Sequence, residues 1–350
     1  MGGRATGAHC SLVTASCQTR AALDALYNLL LGWLRAVELK GELGITLERL
    51  CRTARAQDDA LPLALLPVWS YAAVGGRDPQ QAVGIAAAWR SLHLAGKLLN
   101  DAGNGRPSTL LPNERPPGVL NAGVSLIFLA QAILAEATAS DVPPPVALTL
   151  QAEFARAGLQ AATAQHTRLR GDAGRSWADY QALVARRSGS PFALAMRAGA
   201  LLQQCGRPDE GGRARGAPAH IQALADYGHH LGLMLQLADD FNGVWRPRGR
   251  GDLATGRPTW PLLYAEALAD ADQRARLWTL MRRAPDDPAA EAAARALLVQ
   301  LDVPLAMILA AEEQRHLAEA ALKPLDDSEA RRTLVALARR VTLAPEEVQR

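Results

Sequence analysis

From Ala21 onward, apolar residues recur at intervals of three and four and never settle into the alternation of a strand. A period of 3.6 residues sustained along a chain dictates helices that bury one stripe, so this feature constrains the fold most. It is plain in AALDALYNLLLGWLRAVELKGEL and returns over 61–74, 80–101, 118–139, 145–169, 176–204, 218–245, 258–283, 287–320 and 327–341. Stretches at 75–79, 103–118, 205–219 and 246–258 combine Gly, Pro and charge and are read as loops. Apolar residues make up 49% of the chain and aromatics 5%, with Ala and Leu dominant, which favours helix formers. The expectation is an all-α protein, with residues 1–20 a small, polar, disordered N-terminal tail and residues 21–345 one large helical domain.

Charge and cysteine narrow the function classes. The balance of 38 basic against 35 acidic residues is too even to point to nucleic acid. Cys10, Cys17, Cys51 and Cys205 lack the spacing of a zinc site, and a reducing compartment suits them. The reading finds no stretch of 18 or more uncharged apolar residues and no basic region followed by a continuous apolar one at the start. A cytoplasmic protein with no transmembrane segment is expected.

The segment LQLADDFNGVW, 235–245, sets Asp239 and Asp240 side by side in an otherwise apolar helical run. Taking a carboxylate out of water is costly unless a partner compensates, so two together call for a cation. On a helical wheel Gln236, Asp239, Asp240 and Gly243 lie three or four positions apart and share a face. Hard Mg²⁺ takes oxygen ligands and is commonly held by one or two carboxylates plus substrate phosphates. A simpler reading lets the pair end a core helix and meet Arg246, Arg248 and Arg250 of the following loop.

The wider context favours the metal. From Tyr227 the chain reads YGHHLGLMLQLADDFNGVWRPRGRGDLATGRPTWPLLYA, which resembles the second aspartate-rich region of the trans-isoprenyl diphosphate synthase (polyprenyl synthetase) family. That region runs approximately YGxxLGxxFQxxDDxxD, a basic loop, then DLxxGKxTxPLLxA. Residues 80–101 resemble the family helix that carries a His seven positions before the first DDxxD, as His93 stands before Asn100. YQALVARRSGSPFALAMRAGALL, 180–202, is similar to the family's YxxMIxxKTxxLFxxAxxxGALL, and ALKPLDDSEARRTLVALARRV to its final helices.

The resemblance implies a single large helical bundle of the class I isoprenoid synthase type, with a central cavity lined by two facing aspartate-rich motifs. It implies Mg²⁺ as cofactor and an allylic prenyl diphosphate as substrate, whose diphosphate leaves and whose carbocation isopentenyl diphosphate attacks. Carried over by position, Asp239, Asp240 and Asp101 are the catalytic and metal-binding acids, joined at the metal by Asn100 and Asn104. Diphosphate contacts fall on Arg187, Ser188, Gln236, Gln165, Arg257, Arg106 and His93; Lys97 stands where relatives usually keep an apolar residue, on the helical face of Asn100 and Asp101, and is read as a further cation that neutralises Asp101 or touches the diphosphate.

Several positions depart from the family pattern. The first motif reads Asn100, Asp101 and Asn104, so two of its three carboxylates are amides, and the third acid of the second motif is Gly243. The segment aligned with the basic GKRxRP clamp is ALPLALLP, 60–67, with no cation. Two expectations follow. One is Mg²⁺-dependent binding and ionisation of an allylic diphosphate, ending in prenyl transfer or in terpene-synthase-like cyclisation. The other is a non-catalytic regulatory subunit pairing with an active prenyl diphosphate synthase. Either reading expects a homodimer or a heterodimer.

Overall fold

The computed structural model describes residues 6–37, 41–105, 107–170, 177–203, 218–246, 251–256 and 259–343. Every regular element among them is helical, as the period requires. In chain order these are α1 (Thr6–Ala36), α2 (Glu42–Ala60), a 3₁₀ turn (Leu63–Leu65), α3 (Leu66–Ala73), α4 (Gln80–Gly103), α5 (Pro116–Ala137) and α6 (Pro144–Leu169). There follow α7 (Trp177–Val184), a π-helical turn (Ala185–Gly189), α8 (Ser190–Gln203), α9 (Pro218–Trp245), α10 (Asp252–Thr255) and α11 (Trp260–Leu268). The last four are α12 (Ala271–Arg283), α13 (Pro288–Gln300), α14 (Val303–Ala321) and α15 (Glu329–Arg340). Helix α1 starts at Thr6, well ahead of Ala21, so helix covers most of the stretch read as a tail.

Where the sequence reading joins 21–345 into one domain, the chain divides into two compact units. The first comprises Met1–Leu159, Leu194–Ala225 and Pro324–Leu334; the second comprises Gln160–Ala193, Asp226–Lys323 and Val335–Arg350. Most of these boundaries fall inside helices α6, α8, α9 and α15, and the Gly/Pro loops do not mark them.

In the first unit α4 packs along α5, which buries Val119, Ala122, Leu126 and Ile133. Helix α5 refines the expectation about membrane spans, because its apolar window reaches a mean hydropathy of 1.9, long and apolar enough to cross a bilayer, although 44% of that window is buried. The sequence reading passed over it because Asn121, Ser125 and Gln131 interrupt the run. The unit also holds a buried polar knot that no sequence pattern announced. Asp58 of α2 accepts from the Tyr27 hydroxyl of α1 and from the Ala64 amide at 3.3 Å, and pairs with Arg90 Nε of α4 at 3.0 Å.

In the second unit Phe241, Val244, Leu253, Leu263, Leu297 and Met307 form the centre of the core. Two runs read as continuous helices are broken by aspartates. Asp270 caps α12, accepting from the Gln273 amide at 2.8 Å while the Gln273 side chain accepts from the Asp270 amide at 3.0 Å. Asp302, at φ 54°, takes the left-handed conformation that Asp tolerates, and α13 and α14 meet there at a 60° bend. At the far end of α9, Arg295 Nε donates to the Val244 carbonyl at 3.0 Å, a cation where the helix dipole is negative.

Candidate active site

Helix α9 presents its carboxylate pair in two different ways, because neighbours on a helix point about 100° apart. Asp240 is buried and Asp239 is exposed. Asp240 Oδ2 accepts from the Tyr180 hydroxyl of α7 and from the Trp260 amide at 3.1 Å, and Oδ1 accepts from Gln236 Nε2 at 2.7 Å. The Trp260 bond places a negative charge on the first free amide of α11, where the helix dipole favours it. Burial foremost, then the charges of Asp239 and Asp252, push the Asp240 carboxyl up to about 6 against the pull of the Tyr180 and Trp260 donors. Burial and the Asp240 charge hold the Tyr180 phenol well above its ordinary value.

Gln236 carries the arrangement outward. Its oxygen accepts from Ser188 Oγ at 2.7 Å and from Arg187 at 3.1 Å. Both belong to the π-helical turn, whose wider winding interrupts the α7–α8 run and sets two successive side chains toward α9. The approach is close: a Cβ on Gly232 would run into the Ser188 carbonyl, and one on Gly189 into the His229 ring. Of the residues expected at a diphosphate, Arg187, Ser188 and Gln236 are therefore brought together, with Asp240 behind them.

The outer edge of the same helix carries Asp239 and, one turn on, Gly243. A Cβ on Gly243 would run into Oδ2 of Asp252, the first residue of α10. The space that a side chain at 243 would take is thus filled by the Asp252 carboxylate, which matches the acid of the family's DLxxG turn. Among the described residues no group of three or more His, Cys, Asp or Glu side chains forms a metal cage. Mg²⁺ asks for less, since one or two carboxylates suffice when phosphates supply other oxygens, and the exposed Asp239 fits that demand, whereas Asp252 is buried. Asp240, expected as a metal ligand, spends its oxygens on three protein donors.

The remaining expected residues lie elsewhere. Gln165 is half-buried on α6, in the second unit. In the first unit, on α4, the His93 ring stacks on Trp89 with centroids 5.1 Å apart. Burial, then the charges of Arg90 and Lys97, hold it well below the ordinary imidazole value, so it is neutral. Lys97 is exposed, and Asn100 and Asp101 are half-buried. Asn104 closes the end of α4: its amide nitrogen donates to the Asn100 carbonyl and to Asn100 Oδ1 at 3.1 Å. That bond occupies the amide oxygen by which Asn100 was expected to ligate a metal. Residues 60–67 run from the exposed end of α2 through the 3₁₀ turn to the start of α3, and Ala64, Leu65, Leu66 and Pro67 are buried, which accounts for the absence of cations at those four positions. Arg106 and Arg257 lie outside the described residues.

Sequence reasoning missed Tyr180, Asp252 and the Trp260 amide. Tyr180 opens the quoted YQALVARRS segment and Asp252 the DLATG turn, so their places in the pattern were the available signal.

A family model described as polyprenyl synthetase matches residues 116–298. Among curated proteins, octaprenyl diphosphate synthase from Haemophilus influenzae is 28% identical over 169 residues, which cover 47% of this chain and 48% of that protein. The chain thus matches about half the length of that relative. The solved geranylgeranyl pyrophosphate synthetase from Pyrococcus horikoshii superposes with a TM-score of 0.75 at 17% identity, over 95% of this chain and 98% of the other. A Caulobacter crescentus polyprenyl synthase solved with calcium and isoprenyl diphosphate gives 0.69 at 22% identity, over 94% and 98%. At such identities the two structures establish the all-α fold.

Proposed function

The chain belongs to the polyprenyl synthetase family, and from that premise we propose that it binds an allylic prenyl diphosphate with Mg²⁺ and promotes departure of the diphosphate. The observation that carries this reading is the pairing, within one unit, of an exposed carboxylate and a cationic turn: Asp239 lies one helical turn from Gln236 on α9, and Arg187 donates to Gln236. A metal diphosphate carries both signs and suits both. The Caulobacter relative, solved with a divalent cation and isoprenyl diphosphate, supports the ligand class.

In this reading Asp239 holds Mg²⁺, and Asp101, the acid left in the first motif, is assigned to metal on the resemblance alone. When bound, the metal supplies charge stabilisation for the departing diphosphate. Arg187 offers guanidinium N–H groups to phosphate oxygens in the fork geometry that suits them. The Ser188 hydroxyl already donates its hydrogen bond to the Gln236 oxygen, so it anchors the turn. His93, in the first unit, is neutral and stacked on Trp89, and its assignment to diphosphate rests on the resemblance alone.

A second reading, the regulatory subunit, draws on two observations. Asn100 and Asn104 are engaged with each other. Helix α5 also exposes a stripe of Leu120, Val124 and Phe128, the last 70% exposed, suited to another prenyl synthase chain. One assay separates the readings: diphosphate release from geranyl, farnesyl or geranylgeranyl diphosphate with Mg²⁺, with and without isopentenyl diphosphate. Release with extension supports a synthase, and release alone supports a cyclase or hydrolase. Silence until an active synthase is added supports the subunit, and silence throughout overturns both.

A further inference from the structure

We propose that Tyr180 is a positioning residue for diphosphate capture, acting through Asp240 and Gln236 on the π-helical turn that presents Arg187. The inference rests on the diphosphate reading above and adds a residue and a route to it.

The route follows from donor and acceptor chemistry. Asp240 has two oxygens, and the Tyr180 hydroxyl and the Trp260 amide both converge on Oδ2, leaving Oδ1 for α9's own Gln236. The Gln236 amide has donors only on nitrogen and acceptors only on oxygen. With its nitrogen at 2.7 Å from a carboxylate oxygen, its oxygen must turn to the π-helical turn, where Ser188 and Arg187 both donate to it. The flipped amide would set oxygen against carboxylate and nitrogen against guanidinium, so a single orientation survives. One oxygen then holds two successive residues of a turn whose winding alone would not fix them. The Arg187 guanidinium has five N–H groups, and those not given to Gln236 remain for an anion.

A purely structural role for Tyr180 makes a different prediction. The ring packs with Val184, Leu237 and Phe241 in the core, and Phe would fill that space as well. What Phe lacks is the hydroxyl that shares the Asp240 charge. Without it Asp240 turns toward other donors, the Gln236 amide loses its fixed end, and Arg187 samples more rotamers before it meets an anion.

A double-mutant cycle on the full chain tests this, with affinity for inorganic pyrophosphate in excess Mg²⁺ measured by titration calorimetry and folding followed by thermal melting. Tyr180→Phe is expected to weaken pyrophosphate on the order of tenfold, the effect of one lost hydrogen bond to a charged group. In an Arg187→Ala background the same change is expected to shift affinity by less than about twofold, since the path then ends on nothing. Gln236→Leu, which keeps the packing volume and cuts the path, is expected to reproduce the loss and to abolish sensitivity to Tyr180→Phe; it serves if the Tyr180 variant folds poorly. Equal losses in both backgrounds, or a lowered melting temperature with unchanged affinity, would overturn the positioning role alone. A parent chain that fails to bind pyrophosphate with Mg²⁺ would overturn the diphosphate reading and this role together.

Discussion

Gly243 and Asp252 share one space: a side chain started at position 243 would meet the Asp252 carboxylate. The family pattern carries an acid at both positions, and here the Asp252 carboxylate alone fills the space. Restoring the family pattern with Gly243→Asp is therefore expected to harm the protein. Overpacking of this kind costs about 1–3 kcal/mol, and two carboxylates forced together add repulsion. Urea denaturation is expected to show a lowered midpoint, with no gain in Mg²⁺-dependent diphosphate release. Adding Asp252→Gly to the same chain is expected to recover stability. A Gly243→Asp chain that released diphosphate faster at an unchanged midpoint would refute the overlap of a side chain at 243 with the Asp252 carboxylate.

The two adjacent aspartates are expected to fail differently. Asp239 is exposed, so Asp239→Asn should change stability by less than about 0.5 kcal/mol while lowering Mg²⁺-dependent binding of the diphosphate. Asp240→Asn puts an amide NH₂ among three donors and leaves at least one unpaired, at a cost of about 1–3 kcal/mol. Melting curves and pyrophosphate titrations of the two variants check the contrast. Identical phenotypes would mean that the buried and exposed carboxylates do not divide the work.

These two residues also mark where sequence reasoning reached its limit. The helices were legible because a 3.6 period survives any tertiary context, and a carboxylate pair in an apolar run correctly drew attention to α9. Which carboxylate turns inward was not legible, because it depends on Tyr180 and the Trp260 amide, donors distant in sequence. The π-helical turn was hidden for a related reason: ARRSG has no local signature, and close approach at Gly232 shapes it. Asp270 and Asp302 broke helices that looked continuous, since a polar residue at a boundary resembles one on a solvated face.

The Asp58 knot yields a stability prediction with no bearing on the site. Asp58→Ala removes the carboxylate that pairs with buried Arg90 and accepts from the Tyr27 hydroxyl. Stripping one partner from a buried ion pair costs about 3–5 kcal/mol, because the remaining charge is left uncompensated. Equilibrium denaturation should show that loss. An exposed pair such as Arg332 with Asp327 is expected to cost under about 1 kcal/mol when cut. Equal losses at the two sites would refute the assigned burial.

Acid should destabilise the chain in two separable stages. His93 is held well below its ordinary value of 6.5, foremost by burial, so the unfolded chain takes up a proton there that the folded chain refuses. Stability from this group is complete above 6.5 and declines as pH falls below it. Glu319 is lowered from 4.5 to about 2, foremost by its hydrogen bonds from Arg339 and then by those from Arg315. Its contribution is complete above 4.5 and is lost as pH falls toward about 2, and its exposure keeps that contribution small. Asp240, raised to about 6, opposes the upper window, since the folded chain binds a proton there that the unfolded chain does not, so the comparison of variants with the parent isolates each group. Melting temperature followed from pH 8 to 3 is expected to fall less between pH 7 and 5 in His93→Gln than in the parent, and slightly less below 4.5 in Glu319→Gln. A His93→Gln chain with an unaltered upper limb would show that the imidazole takes up its proton equally in the folded and unfolded chain.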